Sequence, residues 1–340
     1  MNLQLIKTTA KRMVADGKGI LAIDESILTC NKRFEKVNIA PTEENRRAYR
    51  ELLITTPDLN KFISGLILCD ETIKQKNRNN KAFIDIINEA GMLAGIKVDA
   101  GTSEFANFPG EKITSGLDNL REHLHQYYKI GARFAKWRAV IVISNDLPTQ
   151  NCIDANAHAL ARYAALCQEA NLVPIVEPEI LIDGDHSIDR CYAATEKVLH
   201  TVFNQLYAYK VVFDGMILKP NMVLPGLKAK KQSTTEKIAD LTVACLLKTV
   251  PASVAGVAFL SGGQSSILAS ERLNTMNIKF KNKLPWPLTF SFARAIQQPA
   301  LDIWQNKAAN IATAQHAIHK RAKCNSYACR GEYNSALENN

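Results

Sequence analysis

Long apolar runs are missing from this 340-residue chain, and with them any basis for a membrane span, which needs about eighteen uncharged apolar residues in a row. The opening "MNLQLIKTTAKRMVADGKG" stays polar and holds no apolar core of signal-peptide length. Paired cysteines are missing too. Cys30, Cys69, Cys152, Cys167, Cys191, Cys245, Cys324 and Cys329 stand singly with no CxxC, which excludes a zinc ribbon or a disulfide scaffold. Most lie in apolar runs such as "GLILCDE", as buried thiols of a cytoplasmic protein do. Glycine (16), proline (12) and aromatics (7%) are sparse, so neither a low-complexity nor a collagen-like chain fits. The histidines are dispersed. Only His123 and His125 come close together, and i and i+2 do not share a helix face, so no metal site is expected. A G-x-S-x-G elbow for a nucleophilic serine is absent as well.

What is present is 46% hydrophobic residues, enough for a large core, and an excess of bases that sets the net charge at +9. That excess favours an anionic partner without naming it. The C-terminal "HKRAKCNSYACR" is the best stretch for nucleic acid, and a solvated basic helix explains it more simply.

Apolar, β-branched runs recur along the chain: "GILAID" (19–24), "SGLILC" (64–69), "AGIKVD" (94–99), "RFAKWRAVIVI" (133–143), "LVPIVEPEI" (172–180), "GMILKPN" (215–221), "GVAFLSGG" (256–263) and "PLTFSFAR" (287–294). They start roughly 30 to 45 residues apart, a period suited to β–loop–α units. Helical patterns fill the gaps. "PTEENRRAYRELLIT" takes Thr42 as its N-cap, with acids in the first turn. "STTEKIADLTVACLLKTVP" opens on a capping box of Ser233 and Glu236 and stops before Pro251. "DANAHALARYAALCQEANLVP" ends near Asn171. Eight strands alternating with helices predict a (β/α)8 TIM barrel, with a doubly wound open sheet as the other arrangement. A helix at about 3–15 and a C-terminal helix and tail would be additions. No linker breaks the chain, which reads as a single domain over 1–340 with a tail from about 325.

Residues i and i+2 of a strand share a face. Lys97 and Asp99, Lys136 and Arg138, and Glu177 and Glu179 keep that spacing at strand ends, where Asp24 and Lys219 also fall. One such pair would be an interior salt bridge, and a lone Lys219 would be a snorkelling or paired lysine. In a barrel, however, all these ends open on one face, where active sites form. Desolvating so many charges for stability alone is unrewarding. "LSGGQSS" after the seventh strand and Arg294 after the eighth add an anion site built of backbone N–H groups and a guanidinium. Lys219 has the most apolar surroundings of the three lysines, and a lysine ringed by cations and apolar walls loses its proton more readily. The expected chemistry is Schiff-base formation with a phosphorylated carbonyl compound, with neighbouring carboxylates moving the protons.

The motifs "GKGILAIDES", "TEENRR", "GIKVD", "FAKWR", "VPIVEPEI", "DGDH", "LKPNMV", "FLSGGQS" and "LTFSFAR" together resemble class I fructose-bisphosphate aldolase of the animal and plant type, from about residue 10 to 333. The resemblance implies a homotetrameric, metal-independent and cofactor-free barrel enzyme. It implies reversible cleavage of fructose 1,6-bisphosphate to dihydroxyacetone phosphate and glyceraldehyde 3-phosphate, in glycolysis and gluconeogenesis. On its motifs Lys219 forms the iminium, and Glu177 is the acid/base, assisted by Glu179 and Lys136. Asp24 takes the C4 hydroxyl proton. Ser261, Gly262 and Arg294 hold the C1 phosphate, Lys97, Ser26, Thr29 and Arg33 lie near the C6 phosphate, and Arg138 lines the site.

The chain departs from the family pattern in three places. Ile27-Leu28-Thr29 replaces Thr-Gly-Ser, making the loop stiffer and more apolar. Phe292-Ala293 replaces Tyr-Gly, and Ala293 can still donate its N–H if its φ is not positive. Tyr333 is the last tyrosine, where animal members end in one. The last feature predicts slower proton exchange on dihydroxyacetone phosphate and less advantage for the bisphosphate over fructose 1-phosphate. Two other readings remain: a Schiff-base aldolase for a different ketose phosphate, and a scaffold whose basic face binds cytoskeleton or nucleic acid.

Overall fold

The eight apolar runs become eight strands in a computed structural model that describes residues 1–339. They are β1 (Gly19–Ala22), β2 (Ile63–Leu68), β3 (Leu93–Lys97), β4 (Phe134–Ile141), β5 (Val173–Ile180), β6 (Ile217–Leu218), β7 (Gly256–Phe259) and β8 (Leu288–Phe292). All neighbours are parallel and the sheet closes on itself, β1 pairing with both β2 and β8. This is the (β/α)8 barrel. An open doubly wound sheet would leave two edges, and here there are none.

Closure rests on what fills the interior. Ile20, Ala22, Ile67, Leu93, Phe134, Val173, Ile175, Ile217 and Ala258 form one cluster inside the ring, and Ile6, Ala10 and Met13 of the helix Leu3–Met13 join it. That helix therefore plugs the N-terminal end of the barrel. Fully burying a side chain such as Ile6 or Met13 stabilises by about 1.5–3 kcal/mol. Gly95 makes room for the largest interior ring: a Cβ there would lie 2.1 Å from Cε2 of Phe134. A second, larger core lies between the outer strand faces and the helices.

Local signals fix the helix ends. Thr42 caps Glu43–Ile54 by accepting from the Asn45 N–H at 3.2 Å, as its position in the sequence predicts. The expected capping box at Ser233 is displaced by one residue. Thr234 is the N-cap, accepting from the Lys237 N–H at 3.2 Å, and the helix runs Thr235–Thr249. It stops because Val250, which precedes Pro251, turns extended. The helix Gln150–Glu169 ends with Asn171 in the left-handed region at φ +61°.

The C-terminal helix Ile311–Arg330 is not the solvated basic helix its composition suggests. Arg321 is buried, chelated by both Glu338 carboxylate oxygens at 2.5 and 2.6 Å, and donates to Ser270 Oγ at 2.7 Å. Tyr333 donates to Glu338 Oε1 at 2.7 Å. The segment after Arg330 is thus tied back onto the helices Ser266–Phe280 and Ile311–Arg330. All eight cysteines are free, and all but Cys69 are buried. Among the described residues no helix is long and apolar enough to cross a membrane.

Candidate active site

The C-terminal ends of the strands bring the inward charges together as the two-residue spacing requires. Lys136 and Arg138 leave β4 toward the barrel mouth, while Trp137 between them faces outward, fully buried against Tyr163 of the helix Gln150–Glu169. β4 and β5 are in register with Arg138 opposite Glu177. The result is a connected set of ion pairs. Lys136 Nζ lies 2.6 Å from Asp24 Oδ2, 3.4 Å from Glu177 Oε2 and 4.0 Å from Asp99 Oδ2. Lys219 Nζ lies 3.1 Å from Glu177 Oε1. Lys97 Nζ pairs with Asp99 Oδ1 at 2.7 Å, and Arg138 Nε with Glu179.

Lys136, Glu177 and Lys219 are each 4% exposed. Charges that dry are costly unless closely paired. Burial pushes the Lys136 amine down, but Asp24, Glu177 and Asp99 together push it further up, so it is held above its ordinary value as a fixed cation. Asp24 mirrors this. Burial raises its carboxyl, and Lys136, Lys219 and Lys97 outweigh that and hold it below the usual carboxylate range. Arg138 is likewise held charged, against burial, by Glu179 and Glu177. Lys219 differs in having, among the described residues, one carboxylate within salt-bridge distance, and Lys136 shares it. The expectation of a lysine ringed by cations needs amending here, because a carboxylate stands against the amine.

A second group lies beside this one. Ser261 follows β7, and Gly262 and Gly263 adopt φ of +56° and +85°, which turns the loop tightly. A Cβ on Gly263 would sit 3.5 Å from an Arg294 Nη, so loop and guanidinium adjoin. Arg294 opens the helix Arg294–Trp304, is exposed, and makes no hydrogen bond among the described residues. Ala293 has φ −105°, so it meets the condition for donating its N–H.

The residues expected around a second phosphate are more dispersed. Ser26 and Thr29 lie at the exposed start of the helix Ile27–Glu35, where Ser26 is the N-cap, donating to Thr29 Oγ1 at 3.0 Å and accepting from the Thr29 N–H at 3.3 Å. Leu28 beside them is 74% exposed. Arg33 is turned inward, paired with Glu25 and donating to Gln297 and Gln298 Oε1, each at 3.2 Å. Arg50 also pairs with Glu25, at 2.9 Å. Glu25, Arg50 and Gln297 were not anticipated from sequence. Glu25 follows Asp24 and so reads as pointing outward, and only the helix Glu43–Ile54 packing behind it supplies Arg50. His123 and His125 are both exposed on the outer helix Leu120–Ile130, far from any cluster of ligands in sequence.

A closed parallel barrel with two buried lysines and a carboxylate between them at its mouth, next to a two-glycine loop and an unpaired arginine, has counterparts among known proteins. The family model of class I fructose-bisphosphate aldolase matches residues 5–340. The chain belongs to the class I fructose-bisphosphate aldolases. Fructose-bisphosphate aldolase B of Gallus gallus is 51% identical, covering 95% of this chain and 89% of that protein. Cytosolic fructose-bisphosphate aldolase 4 of Arabidopsis thaliana is 52% identical, covering 93% of this chain and 80% of that protein. The solved structure of fructose-bisphosphate aldolase from Plasmodium falciparum, in complex with TRAP and a small-molecule inhibitor, superposes with a TM-score of 0.96 at 47% identity, covering 98% of this chain and 96% of that one. The family's reaction is an aldehyde-lyase reaction on a phosphorylated sugar.

Proposed function

We propose that this aldolase cleaves fructose 1,6-bisphosphate through an iminium on Lys219. The observation that carries the assignment is the contrast among the three inward lysines. Lys136 is pinned as a cation between Asp24 and Glu177, and Lys97 is committed to Asp99, donating to its carbonyl at 2.7 Å as well as its carboxylate. Among the described residues Lys219 has only Glu177 within salt-bridge distance, shared with Lys136. It is therefore the lysine that can surrender a proton to Glu177 and attack C2 of the ketose. Glu177 returns that proton to the carbinolamine hydroxyl, which leaves as water. Lys136 and Glu179 hold the surrounding field. Asp24, kept ionised, accepts the C4 hydroxyl proton as the C3–C4 bond breaks. Its electrons pass into the iminium to give an enamine, and the aldehyde product departs. Protonation at C3 and hydrolysis then release dihydroxyacetone phosphate.

Ser261, Gly262 and Arg294 take the C1 phosphate, supported by the glycine turn and the free guanidinium beside it. Lys97, Ser26 and Thr29 border the distal phosphate and Arg138 lines the space between. Arg33 reaches that phosphate only by leaving Glu25. The occupied Arg33 and the exposed Leu28 favour a weaker distal site, so fructose 1-phosphate should lose less relative to the bisphosphate than a fully cationic pocket would impose. The reading includes a homotetramer acting in the cytoplasm, as the name of the Arabidopsis relative suggests for its own compartment.

Borohydride reduction in the presence of dihydroxyacetone phosphate, followed by peptide mass mapping, tests the assignment. Adduct on Lys219, formed equally with and without chelator, is expected. Adduct on Lys136 or Lys97, or cleavage abolished by EDTA, overturns it.

A further inference from the structure

β6 is the shortest strand of the barrel, and Lys219, whose placement against Glu177 decides the chemistry, follows directly after it. A proline weakens its ladder to β5. Lys219 N–H donates to Val176 C=O at 2.8 Å. In a parallel ladder the next β5 donor toward β6 lies two residues beyond Val176, at Pro178, which has no N–H. The following β5 donor, Ile180 N–H, finds no backbone acceptor. It donates instead to Asn221 Oδ1 at 3.0 Å.

Asn221 is 2% exposed and its amide is committed on both ends. Nδ2 donates to Met222 C=O at 3.0 Å and, more weakly, to Thr195 Oγ1 of the helix Ile188–Ala208 at 3.4 Å. On the other side, Pro220 C=O accepts from Leu260 N–H at 3.1 Å, next to Ser261. The three residues 219–221 are thus suspended between β5 and β7, and on the β5 side the upper rung is a side chain.

We propose that Asn221 is a positioning residue for iminium formation, its side chain supplying the rung that follows the one Pro178 leaves unmade and so setting the separation of Lys219 from Glu177. Glu177 must pass a proton to a hydroxyl carried on the carbon bonded to Lys219 Nζ, and such transfers need heavy atoms within about 2.6–3.2 Å. The Lys219–Glu177 distance is now 3.1 Å. Displacement by an ångström costs on the order of 10²-fold in rate. An asparagine that served stability alone would leave that rate unchanged in the folded fraction.

The proposal rests on Lys219 being the iminium lysine, and one experiment separates the two. Full-length wild type, Asn221→Ala and Thr195→Val are compared for kcat and KM on fructose 1,6-bisphosphate, for the single-turnover rate of borohydride-trapped adduct with dihydroxyacetone phosphate, and for thermal midpoint. Asn221→Ala should lose about 10- to 100-fold in kcat and in trapping rate together, with KM changed less than about threefold, because the phosphate loops are untouched. Thr195→Val, which trims the weak outer bond and a long contact to Cys191 Sγ, should match wild type. Asn221→Ser carries the same expectation as Asn221→Ala should that variant not fold. Adduct on Lys219 with an unchanged trapping rate in folded Asn221→Ala overturns the positioning role alone. Adduct mapping elsewhere in wild type overturns the Lys219 assignment and this role with it.

Discussion

On the proposed mechanism Asp24 and Lys219 act at different steps, and their variants should separate accordingly. Asp24→Asn removes the acceptor for the C4 proton while leaving the amine and Glu177 in place. Its kcat for cleavage should fall by about 10²–10⁴-fold, the usual weight of a positioned base, while borohydride still traps dihydroxyacetone phosphate on Lys219. Loss of trapping in that variant would place Asp24 in iminium formation instead. Arg33 offers a second contrast. Arg33 is paired with Glu25 and Gln297 rather than facing solvent, so Arg33→Ala strips one of two guanidinium partners from a buried carboxylate and should cost less than the about 3–5 kcal/mol of a pair broken outright, because Arg50 remains. Urea unfolding should show that loss, and a variant as stable as wild type but weaker for the bisphosphate would make Arg33 a phosphate ligand after all. The inward lysines and carboxylates were legible in the sequence because the two-residue period of a strand is a local property. The partner of each was not, since Lys136 meets Asp24 across the mouth of the barrel.

At the scale of elements, the displaced cap can be checked directly. Thr234→Ala removes the side-chain acceptor of the Lys237 N–H and should cost about 0.5–2 kcal/mol, whereas Ser233→Ala should be nearly neutral. Equal costs would restore the capping box. Two hydroxyl residues in a row satisfy the same sequence pattern, so packing had to decide between them. Gly95→Ala tests the barrel filling. Its Cβ would strike the Phe134 ring, so about 1–3 kcal/mol should be lost on urea unfolding. Strand order was legible from the repeat of apolar runs. The brevity of β6 was not, because "GMILKPN" looks like a full strand until Pro178 is found opposite and Asn221 is seen supplying the rung.

At the scale of the whole molecule, acid is the sensitive direction. Asp24, Glu25 and Glu338 are all buried enough to be pushed up, yet Lys136, the Arg33–Arg50 pair and Arg321 hold them below their ordinary values. Each binds its proton more readily unfolded than folded, so their stabilisation is complete above an ordinary carboxyl pKa of about 4 and is lost as pH falls through the lower folded values. Lys136 works in the opposite sense. Its stabilisation is complete below about 10.4 and fades only as pH climbs toward its raised folded value. The urea midpoint should therefore hold level at neutral pH and drop below about pH 4, with a shallower drop in Asp24→Asn. A midpoint unchanged down to pH 3 would mean these carboxylates bind protons as readily folded as unfolded. The sequence by itself determined the strand-and-helix alternation, the inward charges and the glycine turn, because periodicity and backbone sterics are written into neighbouring residues. Which lysine is left with a shared carboxylate, that Arg33 faces Glu25, and that an asparagine side chain completes the ladder beside Lys219 were decided only by closure of the barrel, which sets residues far apart in the chain within ångströms of each other.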